Sequence, residues 1–289
     1  MLATLSVVLL SVVAPSRAGP AQQPTQAEFS VAINVAGKQR MLSQKLTKEY
    51  LLVALGHEAE RNSASASATL ALFDGNLKLL LTGDSERNLR APPSREISEQ
   101  LTLVGTHWNQ LRPLIEKGLK DPASIPSSLD QVRTTNLLVL DEMNKAVSLY
   151  EAACKSAGFT ASGAVINVAG RQRMLSQKIS KEICFLALGV DTEGQRAALG
   201  KSSALFSTSL VGLIDGNAEL GLQPLGSASI KRQLGKVQEL WKQFEPLVKE
   251  ALEAPAIQPE LLRKLAELNP LLLNEMNKAV TMFEGSADA

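Results

Sequence analysis

Two stretches of this chain carry the same polar groups at the same spacing. Residues 33–56 read INVAGKQRMLSQKLTKEYLLVALG and residues 166–189 read INVAGRQRMLSQKISKEICFLALG, with 17 of 24 positions identical at an offset of 133 residues. The groups that could do chemistry are Arg40 and Arg173. Around them recur Asn34 and Asn167, Gly37 and Gly170, Ser43 and Ser176, and Gln44 and Gln177. A guanidinium among neutral hydrogen-bonding groups suits binding: its planar fork matches the oxygens of a small oxyanion.

Helical geometry puts these residues together. At about 100° per residue, Phe29, Ile33, Thr47 and Leu51 fall within about 20° of Arg40 on a helical wheel, with Ala36 and Gln44 about 40° away and Gly37 and Ser43 about 60° away. Lys38, Lys45 and Glu49 fall on the opposite side, which reads as the solvated face. Arg40 therefore interrupts an apolar stripe, and Arg173 repeats this among Ile166, Ala169, Ser180 and Cys184. Burying an unpaired charge costs several kcal/mol, so something negative or wet must lie near each arginine. No acid of the motif shares its face. Gly37 and Gly170 each cost the helix up to about 1 kcal/mol relative to Ala, which points to close helix approach or room for a ligand. The alternative is an arginine paired with an acid of another helix, Asp141, Glu142 or Glu275.

Other chemistry is sparse. His57 and His107 are the only histidines and belong to no metal-spaced cluster. No phosphate loop or nucleophile elbow is present, so neither an enzyme nor a cofactor is expected. Asp74-Gly-Asn76 and Asp215-Gly-Asn217 lack the alternating carboxylates of a calcium loop and read as turns or helix interruptions. Trp108 and Trp241 read as core or domain-interface residues, and Met143 and Met276 as core. Asn144 and Asn277 could reach the first helix as a weak alternative site.

The elements that position the motif follow from the repeat. The same offset relates Trp108-x-Gln-x-x-Pro113 to Trp241-x-Gln-x-x-Pro246, and Glu142-Met-Asn-Lys-Ala-Val147 to Glu275-Met-Asn-Lys-Ala-Val280. The Asp-Gly-Asn pair matches instead at an offset of 141. A period this long means tandem domains. Breakers at Gly56, Gly83, 91–93, Pro126, Gly189, Pro224 and 255–259 divide each copy into four helical segments. These are 26–57, 63–83, 94–119 and 127–155, then 160–189, 194–222, 227–252 and 258–284. Short connections make neighbours antiparallel. The expected fold is all-α, two tandem up-down-up-down four-helix bundles over 26–156 and 160–286. Val35, Leu46 and Val53 give the first helix a second apolar side, fit to pack on the other copy.

Composition agrees. Hydrophobic residues are 45%, charged residues 20% and aromatics only 4%, a globular, helix-favouring mix. A net charge of +1 gives no footprint for nucleic acid. Residues 1–14, MLATLSVVLLSVVA, form an apolar run of signal-peptide length, and Ser16-Arg17-Ala18 resembles a cleavage site, so residues 1–18 read as a signal peptide and the chain as exported, with an uncleaved membrane anchor as the alternative because no Lys or Arg precedes the run. No later stretch reads as long and apolar enough to cross a bilayer. Export permits disulfides, but Cys154 and Cys184 lie about 30 Å apart along the helical path, too far to pair.

The segments Asn34-Val-Ala-Gly-Lys-Gln-Arg-Met-Leu-Ser-Gln44 and Asn167-Val-Ala-Gly-Arg-Gln-Arg-Met-Leu-Ser-Gln177 resemble the signature of PilJ/NarX-type periplasmic sensor domains of chemoreceptors and nitrate/nitrite sensor kinases. The resemblance covers both copies. It implies a motif on the first helix of a four-helix module, and a nitrate-like anion held between two first helices by the motif arginine and backbone near the glycine. Carried over, it implicates Arg40 and Arg173 first, then Gly37, Gly170, Asn34 and Asn167 as pocket-shaping, then Ser43, Gln44, Ser176 and Gln177. Where that family dimerises, the two copies here could form a pseudo-dimer within one chain with one anion site on its axis. The family's membrane helices and cytoplasmic signalling domains are not seen in this sequence. The expectation is a periplasmic sensory or binding protein for a small oxyanion, nitrate or nitrite, presenting its bound state to a membrane receptor, sensor kinase or transporter. The alternative is a ligand-free helical interaction or scaffold protein of the cell envelope.

Overall fold

The computed structural model describes residues 23–286; the signal-peptide reading of residues 1–18 lies outside them. The described residues form eight α-helices: α1 (Gln26–Ala54), α2 (Ala59–Thr82), α3 (Arg95–Lys120), α4 (Leu129–Ser156), α5 (Thr160–Ala187), α6 (Thr192–Asp215), α7 (Ala228–Glu253) and α8 (Pro259–Ser286). Helices α1–α4 and α5–α8 make two bundles, and α1 packs along α5 between them.

Local chemistry sets the boundaries. Thr25 and Glu28 form a capping box that starts α1. Ser94 and Ser227 accept from the backbone N–H of Ile97 and Ile230 to start α3 and α7. Gly83 ends α2 at φ 77°, where a Cβ would meet the Ala91 backbone nitrogen at 2.7 Å, so only glycine fits. The chain then closes a small loop through a backbone bridge between Asp84 and Leu89.

The second copy repeats that loop one offset later, with a bridge between Asn217 and Leu222 after Gly216 at φ 87°. This shortens α6, expected to reach residue 222, to Asp215. It also corrects the Asp-Gly-Asn match. Gly216 corresponds to Gly83, whereas Asp74-Gly-Asn76 lies inside the unbroken helix α2. Asp74 instead accepts a 2.7 Å bond from Trp108 Nε1, and its true counterpart, Ser207, accepts from Trp241 Nε1 at 3.0 Å. The two tryptophans stack on Phe73 and Phe206 at centroid separations of 3.8 and 4.1 Å.

Packing differences between the copies are paired. Gly118 lies tight against the Tyr50 ring, leaving no space for a Cβ; in the second copy Ala251 and Ile183 take these two places. Cys154 and Cys184 are buried and not joined by a disulfide. Burial pushes the Cys184 thiol up to about 12, so it is a small core hydrophobe. Among the described residues α6 is long and apolar enough to cross a membrane, contrary to the sequence expectation. Its Leu199, Phe206, Leu210 and Leu213 are buried in the second bundle.

Helix α1 is enclosed on almost every side, because it packs on α2 and α4 as well as α5. The face expected to be solvated is therefore covered. Glu49 is buried and accepts from Lys45, Ser65 and Thr69, the latter two on α2. Glu182, Lys178 and Ser202 repeat this on α5 and α6.

Candidate anion site between the first helices of the two copies

Equivalent residues of α1 and α5 meet, so the two helices run parallel about a pseudo-twofold axis. Arg40 Nη2 donates to Asn167 Oδ1 at 2.9 Å, and Arg173 Nη2 donates to Asn34 Oδ1 at 2.8 Å. The arginines are 2% and 4% exposed. Their tips converge on the same two glycines. A Cβ on Gly37 would lie 3.4 Å from Arg40 Nη2 and 3.7 Å from Arg173 Nη2; on Gly170 the corresponding distances are 3.4 Å to Arg173 and 3.6 Å to Arg40. The glycines thus clear the ground over which both guanidinium groups lie.

Electrostatically the site is positive and under-compensated. No carboxylate forms an ion pair with Arg40 or Arg173 among the described residues. Acid enters one layer back: Asn167 Nδ2 donates to Glu151 at 2.6 Å and Asn34 Nδ2 to Glu284 at 2.6 Å. Each carboxylate turns its asparagine so that the amide oxygen faces the arginine. Desolvation, then the neighbouring Arg171 and Arg173, holds the Arg40 guanidinium below its usual range; desolvation does the same to Arg173. Lys38 is lowered by its own burial and then by Arg173. A guanidinium does not shed its proton near neutral pH, so both charges stay desolvated, and Arg40 also feels the Arg173 charge. Arg40 Nε and Arg173 Nε are buried without an acceptor.

The acids named as alternative partners are engaged elsewhere. Glu142 accepts from Gln100 and Lys145, and Glu275 from Gln233 and Lys278. Asp141 is exposed. Asn144 does reach α1, accepting from Arg40 Nη1 at 3.3 Å.

The remaining motif residues form a separate layer further along the helices. Ser43 Oγ donates to the Arg40 carbonyl and Ser176 Oγ to that of Arg173. Gln44 and Gln177 donate to these hydroxyls and turn their oxygens across the interface. There Lys181 Nζ donates to Gln44 Oε1 at 2.7 Å and to Asn136 Oδ1 at 2.9 Å; Lys48 Nζ donates to Gln177 Oε1 at 2.9 Å and to Asn269 Oδ1 at 2.7 Å. These two lysines were missed in the sequence. Lys48 falls about 80° from Arg40 on the wheel, between the buried and the apparently solvated side. Burial depresses Lys48 to about 8 and Lys181 to about 7.

The family described as "Type IV pili methyl-accepting chemotaxis transducer N-term" (PilJ) matches residues 25–135 and 157–267. Methyl-accepting chemotaxis protein McpN of Pseudomonas aeruginosa is 34% identical over 142 residues, 48% of this chain and 26% of McpN. Protein PilJ of the same organism is 26% identical over 264 residues, 88% of this chain and 37% of PilJ. The chain thus spans well under half the length of either relative. A solved structure, the ligand-binding domain of the P. aeruginosa nitrate receptor McpN, aligns over 44% of this chain and 98% of its own at 32% identity, with a TM-score of 0.39. The chain belongs to the PilJ family of chemotaxis-transducer N-terminal domains, of which it holds two tandem copies.

Proposed function

We propose that the chain is a sensory binding module for a small planar oxyanion, nitrate or nitrite, held at one site on the pseudo-twofold axis by Arg40 and Arg173. The observation that carries this reading is the convergence of two buried guanidinium groups on Gly37 and Gly170, each with an Nε donor lacking an acceptor. A trigonal anion between the forks would accept from both and neutralise their repulsion. Asn34 and Asn167 hold the forks in place and shape the pocket. Ser43, Gln44, Ser176 and Gln177 set the helix register one layer away and do not touch the anion.

Because α1 and α5 belong to different bundles, an anion between the two arginines adds an attractive link across their contact and offsets the repulsion between the two charges. Binding therefore favours one relative placement of the bundles by its differential affinity for that placement. That shift is the signal, read by a membrane receptor, sensor kinase or transporter outside the cytoplasm.

A second reading rests on the asparagines. Their oxygens already satisfy Nη2 of each arginine, as they would in a ligand-free scaffold. Thermal melts of the chain with nitrate, nitrite, sulfate and chloride separate the two. The sensory reading expects nitrate or nitrite to raise Tm, with the shift lost in the Arg40→Ala/Arg173→Ala double variant. Equal, small effects of every anion on both proteins would leave the scaffold.

A further inference from the structure

The two copies also differ where α4 and α8 each meet the first helix of the other bundle. Arg133 of α4, in the first copy, pairs with Asp130 of its own helix at 2.6 Å and reaches across to Asp191 of the second copy at 3.0 Å, close to Lys181. By the 133-residue offset, Asp191 corresponds to Glu58 and Lys181 to Lys48, and the residue equivalent to Arg133 is Ala266 of α8. Alanine cannot reach Glu58, which pairs instead with the exposed Arg61 of its own helix at 2.8 Å. A cavity of about 190 Å³ opens where the arginine would lie, lined by Lys48, Leu52, Leu265, Ala266, Pro270 and Leu273 among others.

The charges around this cavity are paired except one. Lys45 is bridged to Glu49, and Arg61 to Glu58. Lys48, 8% exposed, has no carboxylate within ion-pair distance among the described residues. Its ammonium donates to Gln177 and Asn269, and has one more donor than those two acceptors use. The lining mixes polar and ion-paired groups, Glu49, Glu58, Asn62 and Ser65 among them, with the apolar side chains Leu52, Leu265, Pro270 and Leu273. A desolvated cation among these is complementary to an anion whose hydrocarbon tail can pack on the apolar part.

We propose that this cavity is a second ligand site, for a short aliphatic monocarboxylate whose carboxylate meets Lys48 and whose tail packs on Leu52, Leu265 and Leu273. The site is independent of the axial anion site. At the position equivalent to Ala266 the other half of the interface carries Arg133, whose side chain reaches Asp191.

Hexanoate is the probe and hexanamide, of the same shape without the charge, its control. Isothermal titration of the full chain is expected to give one hexanoate per chain and no binding of hexanamide. Ala266→Arg installs the side chain that the other copy uses, and is expected to abolish hexanoate binding while the far-UV spectrum and cooperative melt remain. Arg133→Ala is expected to open the counterpart beside Lys181 and raise the stoichiometry to two. Equal binding of hexanamide, undiminished binding to Ala266→Arg, or no heat with any straight-chain carboxylate from acetate to octanoate would overturn the proposal and leave a water-filled cavity.

Discussion

Arg40 of the first bundle donates to Asn167 of the second at 2.9 Å, while the Asn167 amide donates to Glu151 at 2.6 Å. The arginine of one copy is thus held by the other copy, through a neutral group backed by an acid. Removing that group leaves Arg40 Nη2 only its long 3.4 Å bond to the Asn167 carbonyl, a loss of about 1–3 kcal/mol. Asn167→Ala is expected to lower Tm by several degrees in buffer. Saturating nitrate should restore more stability to this variant than it adds to wild type, since the anion then supplies the missing acceptor. Parallel nitrate titrations followed by calorimetry check this.

The glycines separate stability from binding. A methyl at Gly37 or Gly170 meets the guanidinium tips at 3.4–3.7 Å, which is ordinary contact, and an alanine favours helix over glycine by up to about 1 kcal/mol. Gly37→Ala/Gly170→Ala should therefore melt at or above the wild-type temperature. The same methyls take up the space the anion needs, so nitrate affinity should fall at least tenfold. Chemical denaturation and titration on one preparation read both quantities.

The buried lysines make stability depend on pH. Lys48 and Lys181 have folded pKa values of about 8 and about 7, below the ordinary 10.5. The folded chain binds fewer protons than the unfolded chain between those limits, so stability rises with pH. The rise should be visible from about pH 7 to about pH 9. Above this the raised pKa of Cys184 acts in the opposite direction, because the unfolded thiol ionises first. Urea midpoints across this range should climb for wild type and stay flat for Lys48→Met/Lys181→Met.

The repeat supplies its own control at the tryptophans. Asp74 accepts from Trp108 where Ser207 accepts from Trp241. Asp74→Ser should cost less than about 1 kcal/mol: the hydroxyl replaces the acceptor, and the lost pair with Arg112 is a partly exposed one. Asp74→Leu leaves the buried indole N–H without a partner and should cost more. Guanidinium melts monitored by tryptophan fluorescence distinguish them.

The bundle fold was legible because Pro, Gly and capping residues punctuate amphipathic segments, and because the offset exposes the duplication. The inward arginines were legible for the same reason: Arg40 sits on a stripe with Ile33 and Leu51. The end of α6 was misplaced since its terminating loop shares an Asp-Gly-Asn string with the middle of α2. Lys45 and Glu49 looked solvated because a helical wheel assumes one buried face, and α1 is enclosed by several helices. Lys48 and Lys181 escaped notice because their neutral partners, Gln177 and Asn269, Gln44 and Asn136, come from other helices. Only the fold brings those together.

In the proposed function both copies build one shared anion site. Isothermal titration of nitrate into the full chain, with Arg40→Ala and Arg173→Ala as separate variants, tests it most directly. One nitrate per chain is expected, with near-complete loss of binding in either single variant. Two nitrates per chain, with each variant retaining one, would contradict it.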